Sequence, residues 1–472
     1  MSSPSAREPI RLNPLEQWEY FSQPRAMHDR LRARYGEVVP LTFQGRKYAA
    51  ILSAAAAQEV FAADPANYDA FWKESFSGLN GEDSLWVLIG ERHRRERRLY
   101  APAVHAHYFR PHGSVVRDIT RHHIDKWRPG QTVRAIETTL AITLDIIMRL
   151  VFGVEDEALM EQGRVILEEL RRSVHPLIVF YPKLQRPWFP LWRRYVAARA
   201  DMFAWADRVI ALRRARREAG DDVLGRLMTA SDEQGRPYTD EHIRNELGSV
   251  LGAGHETTAT ALAWALHELG LHPEVMTKLR AELEPAAGAH PVDALPELPY
   301  LAAVCNEAIR LHPILAECAR VPMVPLEIRG HPIEPGQALV ISIVGIHHDP
   351  ITYPHPDRYV PERFVDRRYG KYEFLPFGGG HRRCLGAPLA DYSMRIVLAE
   401  IALNWEFETA EVDRDVRHDI AMGPKHGVPL RVRARRRGMH VAEPRSGVAS
   451  AQPFTAPPAS CPAHARVQAD ST

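Results

Sequence analysis

Cysteine is scarce in this sequence: four occur in 472 residues, Cys305, Cys318, Cys384 and Cys461, none in a CxxC or zinc-like spacing. A disulfide framework is not expected, so the cysteines have to be explained by packing or by chemistry, and a thiolate is a strong soft ligand for iron. Long apolar runs are missing as well. Charge-free stretches such as Tyr48 to Ala57 and Ala338 to Ile346 fall well short of the roughly 18 apolar residues that cross a bilayer, which predicts no transmembrane anchor. The first residues mix acids and bases where an export signal would carry an apolar core, so the chain reads as cytoplasmic. Nor is one sign of charge in excess: 60 Lys+Arg face 59 Asp+Glu, a net +1, whereas duplex binding needs a concentrated basic field. The expected partner is a neutral or apolar small molecule and no nucleic acid.

What is present is mostly helical pattern. Apolar residues recur with a period of about 3.6 over Ile136 to Phe152, Tyr195 to Ala219 and His242 to Leu271, which predicts long helices. Strand alternation is confined to a hairpin over Glu37 to Ser53, to Val321 to Ile343 and to Val428 to Arg435. The βαβ alternation of a doubly wound sheet is absent, so the fold class expected is mainly α with small β-sheets, an α+β arrangement. At roughly 150 residues per domain the length allows two or three domains or one large enzyme domain. The chain is read as one domain over 1–438, followed by 439–472, whose five prolines and few large apolar residues predict disorder. Residues 173 to 195 combine four prolines with six aromatics and predict an apolar loop, either a lid over an apolar site or a loop packed on the surface.

The strongest signal is the segment Phe374 to Leu389, FLPFGGGHRRCLGAPL. Three consecutive glycines, Gly378 to Gly380, permit positive φ and close backbone approach to a flat cofactor. Cys384 then precedes an apolar run that reads as a helix with Pro388 in its first turn, so free N–H groups and the positive helix end favour a thiolate there. Phe377, Gly378, Gly380, Arg382, Cys384 and Gly386 resemble the haem-binding signature of the cytochrome P450 superfamily, the haem-thiolate monooxygenases. The resemblance covers residues 10 to 435 and implies a mostly helical domain in which Cys384 ligates the iron of haem b, iron protoporphyrin IX.

Three other stretches support it in the expected order. Glu307 and Arg310 fall three apart on an apolar helix, and with Arg363 in Pro361-Glu362-Arg363-Phe364 they look like the family's ExxR and PERF elements, which form a structural Glu/Arg/Arg network behind the haem loop. The run Gly248 to Thr260 sets small residues beside an acid and threonines, and Ala253-Gly254-His255-Glu256-Thr257 is similar to the family's oxygen-activation motif. That resemblance makes Thr257 the hydroxyl that holds dioxygen and Glu256 the acid that helps deliver protons through water. His93 and Arg97, four apart on one helix, together with Arg320 and Arg382, are positioned by the same resemblance for haem propionates. The pocket it implies is lined by Phe71, Trp72, Leu79 and Trp86, by the 251–257 segment with Ala253, and by Leu315 and Ala316.

The activity implied is insertion of one O2 oxygen into an apolar substrate, by hydroxylation or epoxidation, with NAD(P)H electrons arriving through a ferredoxin and ferredoxin reductase. A fatty acid or terpenoid is the preferred substrate; tailoring of a polyketide or other secondary metabolite is the alternative, and a non-catalytic haem-binding protein the rival class. His347-His348-Asp349 imitates a metal cluster, but neighbouring side chains of a strand point to opposite faces, and no metal is expected there. His105, His107, His122 and His123 read as partly exposed helix or loop residues. Arg94, Arg95 and Arg98 beside Arg383 read either as a positive face for an acidic electron donor or as a solvated helix face. The arginines from Arg431 to Arg437 are expected to guard an edge strand.

Overall fold

A computed structural model of the chain describes residues 9–435 apart from 44, 105, 217–219, 221, 233, 290 and 419. The 439–472 tail and the side chains of His105 and His107 fall outside the described residues. The long helix Asp240–Leu271 organises the fold. The Thr239 side chain accepts from the His242 amide at 3.2 Å to start it, and Asp240 and Glu241 in its first turn complement the positive helix end. From Thr258 to Leu269 the helix is buried all round, with Ala259, Ala261, Ala263 and Ala265 letting neighbours approach from several sides. The closest neighbour is the helix Ala135–Leu150: a Cβ on Gly254 would sit 3.1 Å from Ile147, while Thr139 and Thr143 donate to the Ala259 and His255 carbonyls at 2.9 and 3.2 Å. His255 Nε2 in turn lies 2.9 Å from the Leu140 carbonyl.

The sheets lie toward the two ends of the sequence. A six-stranded sheet runs in the order Ile10–Arg11, Val38–Phe43, Arg46–Ile51, Ala338–Ser342, Glu317–Pro322, Tyr68–Asp69. The expected hairpin is its Val38–Phe43 and Arg46–Ile51 pair, turning at Gly45 with φ 75°. A three-stranded sheet joins Trp405–Thr409, Pro429–Arg435 and Thr132–Arg134, and Asp415–Arg417 pairs with Met422–Pro424 as a hairpin. The mainly α fold with small sheets is the one the sequence predicts.

Three local expectations are corrected. Pro429–Arg435 is the middle strand of its sheet, so its arginines guard no edge; Arg431 and Arg433 pair with Glu408, and Arg435 with Asp125. Residues 173–195 are not one loop: Pro176–Phe180 forms a short helix and Pro190 opens the helix Pro190–Arg216, since proline fits the first turn whose N–H is orphaned anyway. His347 ends a short helix, Ile343–His347, and His348 stands in the turn after it, so the opposite-faces argument drawn from a strand does not apply; His347 is buried, and no metal-binding group of side chains occurs among the described residues.

A buried imidazole ties three of these elements together. His312, just past the helix Pro299–Leu311, bridges Asp415 through Nδ1 at 2.9 Å and Glu268 through Nε2 at 2.8 Å, and stacks on Trp264 at 3.9 Å. Burial opposes its charge, but the Asp415 and Glu268 carboxylates outweigh that and raise it to about 9. A raised value means stability that is complete below the ordinary value of about 6.5 and lost as pH rises through about 9. The expected loss between neutral and strongly alkaline pH is on the order of 3 kcal/mol. Urea unfolding of wild type and His312→Gln at both ends of that window checks it: wild type should lose much more stability on alkalinisation than the variant, and parallel losses would contradict the bridge.

Candidate active site

The site is assembled where the cysteine loop meets the long helix. Cys384 lies just ahead of the helix Ala387–Asn404, whose first turn contains Pro388. Its amide donates to the Phe377 carbonyl at 2.9 Å, which closes the loop on itself. Gly378 and Gly380 hold φ of 65° and 66°, a left-handed conformation that a side chain would strain, and a Cβ on Gly379 would fall 2.7 Å from the Phe61 ring. Burial raises the Cys384 thiol, while the N–H groups of Gly386 and Ala387 and the charges of Arg383 and Arg97 pull the other way. Cys384 is exposed and lines a large cavity. Cys318 lines the same cavity from the strand Glu317–Pro322, with no helix end behind it. Cys305 is fully buried in the core and pushed up to about 12.

Behind the loop stands the buried network of Glu307, Arg310 and Arg363. The first two have no solvent exposure. Arg310 grips Glu307 with two bonds of 2.6 and 2.8 Å and reaches the carbonyls of His347 and Pro356 at 2.9 Å each. Arg363 and the Val360 amide complete the Glu307 carboxylate at 2.9 and 3.0 Å. His347 carries the network forward, because its Nε2 accepts from the Leu375 amide at 2.7 Å and Leu375 caps Gly378 at 2.9 Å. The sequence gives no sign of this histidine's link.

The cavity is about 1730 Å³, and its walls include Cys384, Phe377, Gly378, Gly386, His93, Arg97, Arg320, Arg382, Ala253, Glu256 and Thr257. Phe71, Trp86 and Leu315 line it too, with Trp86 stacked on Phe76 at 4.7 Å. Ala316 does not: it is buried with Val344 and Met422. His93 and Arg97 share the helix Gly90–Tyr100 as their spacing requires. Arg94 and Arg98 on that helix pair with Glu91, and Arg95 binds the Ser231 carbonyl, whereas Arg383 is exposed.

Thr257 Oγ1 donates to the Ala253 carbonyl at 2.7 Å, one turn back, which holds the hydroxyl against the helix wall. Glu256 lies 3.6 Å from Arg171 of the helix Glu157–Ser173, which also grips Glu168 at 2.8 and 2.9 Å. That arginine partner was not visible in the sequence.

A haem fits these residues. Arg97, Arg320 and Arg382 line one cavity and form no carboxylate ion pair among the described residues. They are held instead by main-chain carbonyls: Arg97 by Arg383 at 2.8 Å, Arg320 by Gly379 at 2.7 Å, Arg382 by Trp86 and Leu88. Arg382 Nε is buried with no partner at all. Burial and the neighbouring Arg320 bring Arg382 down to about 10, and burial with Arg382 and Arg97 brings His93 down to about 3. Uncompensated cations around an orphaned donor, with a bare thiol nearby, match a flat group that brings carboxylates and a thiolate-seeking metal.

A cytochrome P450 family model matches residues 7–429. The chain belongs to the cytochrome P450 family. Cytochrome P450 135B1 of Mycobacterium bovis is 34% identical over 441 residues, covering 91% of this chain and 89% of that one. Cytochrome P450 135A1 of Mycobacterium tuberculosis is 34% identical over 389 residues, with 80% and 84% covered. A solved structure described as retinoic acid bound cyanobacterial CYP120A1 shares the fold at TM-score 0.79 and 22% identity, over 91% of this chain and 99% of its own. This cytochrome P450 is therefore a haem-containing monooxygenase that uses O2 and an apolar substrate and takes electrons from a redox partner. No helix among the described residues is long and apolar enough to cross a membrane.

Proposed function

We propose that this P450 hydroxylates or epoxidises an elongated apolar molecule, a terpenoid or fatty acid, using haem b held by Cys384 and electrons from a ferredoxin and its reductase. The supporting observation is the cavity itself: large, apolar, with a bare thiol at one wall and the small-residue stretch Gly252 to Gly254 at another. When bound, the haem supplies the iron at which dioxygen is activated, one oxygen going to substrate and the other to water with two electrons and two protons. His93, Arg97, Arg320 and Arg382 would hold its carboxylates. The solved relative described as bound to retinoic acid indicates that the fold can take an elongated isoprenoid.

The chain's own part is proton handling and exclusion of water. Thr257 keeps its hydroxyl on the Ala253 carbonyl at rest, and a small rotation about its side chain turns that donor into the cavity. Glu256 is oriented by Arg171 and supplies the acid beside it. Arg383, exposed beside the cysteine loop, is the cation offered to an acidic ferredoxin.

The reading is tested by loading the protein with haem, titrating terpenoids and fatty acids for a spin-state shift, and assaying with ferredoxin, reductase and NAD(P)H. Oxygenated product that depends on the ferredoxin is the expected result. No shift and no NAD(P)H consumption with any ligand or ferredoxin would leave haem binding without catalysis. In the same assay Thr257→Ala should lower product per NAD(P)H consumed by roughly tenfold or more and raise peroxide, as loss of a positioned proton donor requires. Unchanged coupling would remove Thr257 from the reaction.

A further inference from the structure

Of the tryptophans, tyrosines and phenylalanines among the described residues, three are exposed: Trp18 at 60%, Tyr181 at 45% and Trp188 at 66%. They come from two stretches that touch, because Phe21 and Phe180 pack with ring centroids 5.9 Å apart. The first is the helix Pro14–Ser22, which buries none of its residues; Leu15 and Trp18, three apart, share its exposed face. The second runs from the helix Pro176–Phe180 to Trp188. Its Ile178 and Val179 are buried, and Gln185 is tied inward to the Ser75 and Ile178 carbonyls at 3.0 and 2.9 Å. Leu177, Tyr181 and Trp188 are left on the outside. Trp18, Tyr181 and the exposed Lys183 also line the cavity, so the patch borders its mouth. Single exposed apolar residues are ordinary, but five on two touching stretches mark a contact surface.

The free charge on this surface has one sign. Ser173 to Tyr195 contains no Asp or Glu, and its Lys183, Arg186 and Arg193 are exposed with no carboxylate in ion-pair range among the described residues. Arg194 differs, pairing with Glu169 at 2.9 Å. The acids of the N-terminal helix are engaged: Glu16 accepts from the Asn13 amide at 2.8 Å, and Glu19 pairs with Arg30. On the hairpin that also lines the mouth, Arg46 and Lys47 face Glu74 and Glu334 at 3.8 and 2.6 Å. Tryptophan and tyrosine beside unpaired lysine and arginine are the side chains that settle at a lipid headgroup layer, the rings at the acyl boundary and the cations on anionic headgroups. A twofold contact with a second copy would instead set the same unpaired cations against each other.

We propose that this face docks on an anionic lipid surface, seating Trp18, Tyr181 and Trp188 at headgroup level with the cavity mouth turned to the bilayer. The attachment is peripheral, made by exposed side chains and reversed by salt. An apolar molecule dissolved in the membrane then reaches the cavity without crossing water. Docking does not depend on which substrate the cavity takes, so its failure would leave the reading of the cavity as a substrate site intact.

The test is co-sedimentation of the full-length, haem-loaded protein with vesicles of phosphatidylcholine alone or mixed with phosphatidylserine. Wild type should bind the mixed vesicles roughly tenfold or more tighter than the neutral ones, and added salt should erase that margin. Lys183→Gln, Arg186→Gln and Arg193→Gln combined should weaken binding to mixed vesicles by roughly a hundredfold. Trp18→Ala and Trp188→Ala should each weaken it by roughly tenfold, on either kind of vesicle. Ile351→Ala, at a residue 84% exposed outside these two stretches, should leave it unchanged. All these side chains are exposed, so the variants should fold, which urea unfolding verifies. No binding to mixed vesicles, or binding that both tryptophan variants leave unchanged, overturns the proposal. So does a dimer in sedimentation equilibrium that Trp188→Ala disperses, since the face would then belong to a second copy.

Discussion

Arg310→Ala is expected to yield a protein that neither holds haem nor unfolds cooperatively at the wild-type midpoint. The reason is the state of its partner. Glu307 is wholly buried, and Arg310 supplies two of its hydrogen bonds and its nearest countercharge. Removing one side of a buried pair leaves a charge in a medium that cannot solvate it, at a cost of about 3–5 kcal/mol, comparable to much of the stability of an ordinary domain. Arg363 offers one bond of 2.9 Å and cannot replace the fork. The loss also travels: the His347 carbonyl loses a donor, and His347 positions Leu375 at the start of the cysteine loop. Arg310→Lys should fail nearly as badly, because a lysine cannot span Glu307 and the His347 and Pro356 carbonyls together. Urea unfolding and haem content measure both effects. An Arg310→Ala protein with normal haem content and an unshifted midpoint would show that the network is dispensable.

The fold class and the Cys384 loop could be read from the sequence because both depend on local pattern. The glycines at 378 and 380 do adopt positive φ, and Pro388 does fall in a first helical turn. Elements whose character depends on distant partners were not legible. Arg431 to Arg435 alternate like an edge strand, yet Trp405–Thr409 and Thr132–Arg134 pair on either side, and only the topology reveals that. Leu315 and Ala316 are adjacent, yet one faces the cavity and the other the core. The prolines at 176 and 190 suggest a loop by composition, though each begins a helix. The Arg171 partner of Glu256 lies 85 residues away in sequence, beyond any local signal.

The larger functional effect is expected from Cys384→Ser: the reduced carbon monoxide complex should lose its strongly red-shifted Soret band, and ferredoxin-driven turnover should fall below detection. A serine hydroxyl is a hard, weak donor at neutral pH, so it cannot supply the electron density that a thiolate gives to an iron. The fold, by contrast, should survive. The loop closes through the Cys384 amide to Phe377 at 2.9 Å, a bond the side chain does not make, and the sulfur faces the cavity, not packed core. Haem-free Cys384→Ser should therefore unfold within about 0.5 kcal/mol of haem-free wild type. This separates Cys384 from Cys305, which is packed at 1% exposure against the core; Cys305→Ser should cost about 1–3 kcal/mol by burying a hydroxyl and leave the spectrum alone. If Cys384→Ser kept the red-shifted band, the ligand would have to be another thiol, and Cys318, which shares the cavity, is the residue to mutate next. It lacks the helix-end N–H groups that Gly386 and Ala387 aim at Cys384, so a thiolate there would have only the Arg320 charge to stabilise it, and Cys384 is the residue from which the loss of the band is expected.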